Sequence, residues 1–507
     1  MAGTGTTPGF SQEVLLAVNN TLSYAHRLYS AIPGSSILYK YVKESHQNDP
    51  LRTVLELVLL IFLVWYALSQ RYKPGQKEIK LTEKEIQELI DEWQPEPLVP
   101  DLTDAQRMEL DKLVTISGPS GPRVRIEGPN TKTLMNLASF NFLGYMNHEK
   151  LKEKATAALR KYGVGTCGPP GFYGTLDVHM DLEQELAKFM NAEAAIIYSQ
   201  GFSAIASIIP AFSKRGDTLV VDDGISFAIQ KGVEISRSHV KFFKHNDMED
   251  LARVLEEIKR DELKKRKPLA RKFIVVEGLY ANYGDIAPLP RLIELKTKYK
   301  YRLIIEESMS FGVLGKRGAG ITDHFDVPAK DVDIIAASLA NALSAAGGFC
   351  CGSAEIVEHQ RLSGQAYTYS ASLPAMLSVT ALESLHLLKE NPYVLSHMRE
   401  NARVIRATLA GVQGMVIGGA EDAPFVHLRV RDHLANRIDE EKLLQDIVDE
   451  AAKVGYLLTR AKFVASQEHN LPPPSIRISV SAAHSRVDTE TAAKRLRDVI
   501  KTVLKKK

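Results

Sequence analysis

The chain has 507 residues, more than one compact core normally organises. Hydrophobic residues make up 45% and charged residues 25%, which excludes a disordered or fibrous chain. Lys plus Arg number 64 against 61 Asp plus Glu, a formal net charge of +3, too even for a general nucleic-acid-binding field; no nucleic-acid partner is expected.

In chain order, residues 1–50 are compositionally plain, with Gln12–Tyr29 reading as an amphipathic helix for a membrane surface or a partner, so this part is expected to be a lumenal or interfacial segment. Val54–Leu68 reads VLELVLLIFLVWYAL, with Glu56 as its one charge. With Thr53 and Ser69 it would run to roughly 25 Å as a helix. That suits the thinner endoplasmic reticulum bilayer of about 27 Å, and 51–70 is expected to be a single transmembrane helix. A buried core helix is the alternative, but Arg52 and Arg71-Tyr72-Lys73 bracket the stretch as water-side flanks do, with Trp65 and Tyr66 as an aromatic belt. Lys and Arg number three in 36–52 (Lys40, Lys43, Arg52) and five in 70–86 (Arg71, Lys73, Lys77, Lys80, Lys84), which puts the C-terminal bulk in the cytosol. Residues 71–134 are expected to be a stalk and N-terminal segment, broken by Pro95, Pro97 and Pro100, with soluble structure proper from near Asp101.

From residue 135 short apolar strands alternate with helical stretches. The strands are Ala195–Ser199, Thr218–Asp222, Val240–Lys244, Lys272–Glu277, Leu303–Glu306, Ile334–Ser338 and Gly348–Gly352; helices between them include Leu176–Met190 and Met248–Lys259. β-branched runs separated by helices imply an α/β fold with a mostly parallel central sheet and helices on both faces, over 135–386. A smaller C-terminal α+β domain is expected over 387–507, with helices near 390–411 and 440–455 and strands Val426–Val430 and Ile476–Val480. The three cysteines, Cys167, Cys350 and Cys351, cannot make a disulfide framework, and the adjacent pair lacks metal-ligand spacing, so no metal is expected.

Nine short motifs follow one another in order: YGVGTCGPPGFYGTLDVH (Tyr162–His179), YSQGFSA (Tyr198–Ala204), RGD (Arg215–Asp217), VDDGISFAIQKG (Val221–Gly232), VVEGLYANYGDIAPLP (Val275–Pro290), IIEESMSFGVLGKRGAG (Ile304–Gly320), SLANALSAAGGFCCG (Ser338–Gly352), YSASLP (Tyr369–Pro374) and IRISVSAAH (Ile476–His484). Together they resemble the α-oxoamine synthases, fold-type I aminotransferase-like enzymes that use pyridoxal phosphate to condense an amino acid with an acyl-CoA and release carbon dioxide. The resemblance runs from about residue 50 to the C-terminus.

Pyridoxal phosphate needs a lysine amine. In the family that lysine lies just before the Ala-Ala-Gly-Gly turn, where this chain has Asn341, and residues 331–388 contain no lysine at all. The family's Asp-Glu-Ala-His segment reads Glu306-Glu307-Ser308-Met309 here, so Met309 replaces a hydrogen-bonding histidine. Ser226 stands where the family's ring-stacking histidine falls. No catalytic residue and no covalently held cofactor is therefore expected on this chain. Gly201-Phe202-Ser203 reads either as a phosphate cradle or as an ordinary strand–helix turn. Arg477 matches the family's carboxylate-binding arginine, with an ion pair as the alternative, and Gly347 and Gly348 are expected to serve close packing.

These departures resemble the non-catalytic long-chain-base subunit 1 family of eukaryotic serine palmitoyltransferases. The resemblance implies a lysine-bearing homologous subunit 2 as partner and holder of pyridoxal phosphate, membrane lipids around an endoplasmic reticulum anchor, and small regulatory subunits and membrane inhibitor proteins as further partners. It places Ser370, Ala371 and Ser372 against the partner's cofactor phosphate, and Cys167 beside the partner's substrate pocket or as a packing residue. Family members often carry Arg where Pro170 stands. An active homodimeric synthase and a scaffold that contributes to no active site are the alternatives.

Overall fold

The computed structural model describes residues 23, 33–69, 81–95, 97–99, 101–111, 113–127, 132–265 and 268–506. The Gln12–Tyr29 stretch, apart from Ser23, and the Arg71–Lys73 flank lie outside them. The chain divides into two compact units, Met1–Thr103 and Asp104–Lys507.

In the first unit, helix Ser35–Asn48 is followed by Pro50–Leu68, a 19-residue helix long and apolar enough to cross a membrane. Its start is fixed by Asp49, whose side chain accepts from Arg52 N at 3.1 Å, and by Pro50, which lacks the N–H that a first helical turn leaves unpaired. No side chain of this helix is buried in the protein. Glu56 pairs with Arg52 at 3.0 Å, one helical turn back, so the segment's single charge is matched at its polar end. A third helix, Glu83–Glu92, opens on a Thr82/Glu85 capping box.

The second unit is built on a seven-stranded sheet in the order Ala194–Tyr198, Gly348–Gly352, Ile334–Ser338, Arg302–Glu306, Lys272–Glu277, Thr218–Asp222, His239–Phe243. All neighbours are parallel except Gly348–Gly352, which runs antiparallel to both strands beside it. Successive strand residues enter different cores. Val220, Ile274, Leu303 and Ile335 face the larger one, and Leu219, Val221, Val275 and Ile304 face the smaller. The same alternation sends Cys350 and Cys351 to opposite faces as buried apolar residues.

The C-terminal part adds an antiparallel sheet in the order Met415–Gly418, Phe425–Val430, Ile476–Ser479, Thr459–Arg460. Within 71–134, strands Arg123–Ile126 and Lys132–Asn136 form a hairpin that pairs in parallel with Tyr456–Leu457, so the N-terminal and C-terminal parts of this unit share a sheet.

Candidate functional site

In an open parallel sheet, ligands bind outside the carboxyl ends of the strands. Here Asp222, Glu277 and Glu306 close three adjacent strands. Glu277 and Glu306 are register partners, 0% and 7% exposed. Glu277 accepts from Ala281 N at 2.9 Å and from Ser226 N; Glu306 accepts from Ser308 N at 3.1 Å and from the Ser308 hydroxyl. Burial pushes both carboxyls above the usual range, to about 7 for Glu277 and about 8 for Glu306, with the charge of Asp222 adding to the first and that of Glu277 to the second. Glu307 turns away and closes the following loop by accepting from the Ser310 hydroxyl and from Ile321 N at 2.9 Å. Gly320, at φ +85°, sits so close to this carboxylate that a Cβ would overlap it.

Asn341 lies in the loop after Ile334–Ser338, half-buried. Its amide donates to Ser308 O at 2.8 Å, with Met309 Sδ at 3.7 Å. Ser226 stands at the N-terminus of helix Phe227–Ser236 and turns its backbone N–H and its hydroxyl to Glu277. The sheet ends thus bring Asn341, Met309, Ser226 and Glu306 around one spot. Gly201 begins helix Gly201–Phe212, with the Ser338 hydroxyl 2.8 Å from where its Cβ would be. Gly347 (φ +100°) and Gly348 abut Tyr198 O and Ala204 Cβ, as close packing requires.

Arg477 departs from the ion-pair alternative. Its guanidinium lies 4.1 Å from the Phe140 ring centre, and among the described residues it forms no ion pair. Burial draws its pKa down to about 10.

Cys167 and the 370–372 segment meet in a second place. Cys167 is exposed at φ 57° in the glycine-rich loop; the next carbonyl, Gly168 O, accepts from Ser372 N at 3.0 Å. Thr166 Oγ donates to Ser372 O at 3.3 Å. Ser372 is turned inward, whereas Ala371 is exposed and Ser370 is half-buried with its hydroxyl 3.3 Å from Ser199 Oγ. Phe172 and Tyr173 of the same loop and Tyr369 beside the segment are exposed at 67%, 101% and 82%, an unusual density of bare aromatic surface.

Sequence reasoning missed a cluster next to the site. His245 sits between Asp222 (Nδ1 to Oδ1, 2.8 Å) and Asp285 (Nε2 to Oδ2, 3.1 Å), stacks on Tyr283 at 3.9 Å, and meets the edge of Tyr280, whose hydroxyl donates to Asp222 at 2.9 Å. Burial would lower its pKa, but the two carboxylates outweigh burial and raise it to about 9. No local pattern marks the cluster, because its members come from three separate segments.

The aminotransferase class I and II family matches residues 132–496. "Long chain base biosynthesis protein 1b" of Oryza sativa is 40% identical over 97% of this chain and 100% of its own length. "Serine palmitoyltransferase 1" of Dictyostelium discoideum is 44% identical over 84% of this chain and 88% of its own. The chain belongs to the serine palmitoyltransferase 1 family. Its fold is also that of a solved Sphingomonas wittichii serine palmitoyltransferase, at TM-score 0.70 and 24% identity, over 79% of this chain and 96% of the other. The α/β aminotransferase-like architecture expected from the motifs is therefore the architecture found.

Proposed function

We propose that this chain is the non-catalytic but required subunit of a serine palmitoyltransferase, the enzyme that condenses L-serine with palmitoyl-CoA to 3-oxosphinganine, CoA and carbon dioxide in the first step of sphingolipid synthesis. One observation carries the reading. The strand-end loop where the fold's cofactor lysine is expected presents the Asn341 amide, hydrogen-bonded to Ser308 O, and 331–388 offers no lysine. An amide nitrogen is not nucleophilic, so this pocket does not fit covalently held pyridoxal phosphate. Met309 has no donor for a ring hydroxyl, and Ser226 has no aromatic face for stacking. Glu306 is already engaged by Ser308 and crowded by Glu277.

The chemistry then belongs to a lysine-bearing homologous subunit, which holds the cofactor. This chain completes that subunit's pocket from the surface where the Cys167 loop meets Ser370 and Ala371, and the bare aromatics around it are the contact area. Hydroxyl and backbone N–H donors at 370–371 suit a phosphate. Pro50–Leu68 anchors the complex in the endoplasmic reticulum membrane, with Asp104–Lys507 in the cytosol.

The test uses the intact complex carrying Cys167→Phe or Ser370→Phe. Turnover or the KM for acyl-CoA or serine should change by about tenfold while the complex stays assembled. Unchanged kinetics in an assembled complex would assign the chain to scaffolding alone.

A further inference from the structure

Strands Thr218–Asp222, His239–Phe243, Lys272–Glu277, Arg302–Glu306 and Ile334–Ser338 are parallel and begin at one end of the large sheet, opposite the candidate site. The segments leading into them carry exposed cations: Lys214 and Arg215 before the first, Arg237 before the second, Lys264 before the third, Lys300 before the fourth, Lys330 before the fifth. None of these six is in an ion pair among the described residues, whereas nearby Lys265, Lys272 and Lys296 are. Of the carboxylates at the same end, half-exposed Asp331 beside Lys330 is in no ion pair among the described residues, and three others are engaged. Asp217 is buried and accepts from Lys214 N and Arg271 N, Glu262 pairs with Lys272 at 2.9 Å, and Asp333 pairs with Lys296 at 2.5 Å. At about 4.8 Å between neighbouring strands, the row is roughly 19 Å wide. Leu263 and Leu269 stand beside it, 71% and 106% exposed.

We propose that this end of the body rests on an anionic lipid surface. The inference builds on the membrane-anchored reading above, because a tethered body meets the bilayer at high effective concentration. The chain's net charge is only +3, so the row is a local concentration of charge rather than part of a general field. Unpaired cations beside bare leucines are the combination an acidic leaflet attracts. The cations reach headgroup phosphates within a Debye length, and the leucines enter the headgroup boundary.

The test is pulse amine-labelling, read by mass spectrometry, of the full complex reconstituted in phosphatidylcholine vesicles with or without phosphatidylserine. Labelling of Lys214, Lys264, Lys300 and Lys330 should fall about threefold or more with phosphatidylserine at low salt and recover at about 0.5 M salt. Exposed Lys442 and Lys494 should not change. The triple variant Lys214→Glu, Arg215→Glu, Lys264→Glu should lose the lipid-dependent difference at Lys300 and Lys330. Equal labelling in both vesicles overturns the proposal. Equal protection in both assigns the row to a protein partner, and protection by inorganic phosphate in phosphatidylcholine vesicles assigns it to a free anion; either result also overturns it. Carbonate extraction of the same vesicles reports separately on the anchor.

Discussion

Glu277 and Glu306 face each other across neighbouring parallel strands, both buried, and neither has a cation paired to it among the described residues. Two carboxylates so placed cannot both ionise without mutual repulsion in a poorly solvated site. Burial favours the protonated form at both carboxyls.

Replacing Glu306 with Gln therefore has a definite sign. A carboxyl whose folded pKa is raised contributes stability that is full below its unfolded pKa of about 4.3 and is lost as pH rises through the folded pKa. Glu306→Gln removes that loss. Its melting temperature should gain on the parent's as pH goes from 5 to 9. Thermal unfolding across that range checks it, and a difference that stays constant with pH contradicts it.

His245 runs by the same rule for a base. Its folded pKa of about 9 lies above the usual value near 6.5, so its stabilisation is complete below pH 6.5 and fades as pH passes 9. The shift corresponds to about 3 kcal/mol as an order of magnitude, for a side chain that is 18% exposed. His245→Gln should lower stability by about that amount at pH 6, and by much less at pH 10, in urea unfolding of the full chain.

The parallel strands were legible in the sequence because both of their faces are buried, which leaves uninterrupted runs such as Thr218–Asp222, Lys272–Glu277 and Ile334–Ser338. Ends slipped by a residue, as at Ala194 and His239, where polar caps carry no periodicity. The hairpin of Arg123–Ile126 and Lys132–Asn136 went unread because its short strands are half solvated and their partner lies more than 300 residues away. Asn341, Met309 and Ser226 could be named from motif order, but the Glu277–Glu306 pairing depends on strand register, which no local pattern encodes. Arg477 was legible as a residue and not as an environment, since Phe140 comes from a distant segment.

Gly347 offers a packing test. It adopts φ +100°, and a Cβ there would lie 2.7 Å from the Tyr198 carbonyl oxygen, a backbone atom that cannot turn aside. Gly347→Ala should cost about 2 kcal/mol or more. Gly411, with nothing within 4 Å of its would-be Cβ, is the control, and Gly411→Ala should stay within about 0.5 kcal/mol. Equal effects in denaturant titration would contradict the account of the Gly347 turn.

Restoring the amine alone should not restore the chemistry. Asn341→Lys leaves Met309 and Ser226 in place and Glu306 held by Ser308. The purified full chain with this substitution is expected to form no product from L-serine and palmitoyl-CoA. Measurable turnover would show that the other replacements matter little.

The most direct measurement is borohydride reduction of the intact complex loaded with pyridoxal phosphate, followed by peptide mapping of both chains. The account expects every cofactor-modified lysine on the partner and none on this chain. A stoichiometric pyridoxyl-lysine anywhere among these 507 residues would contradict it.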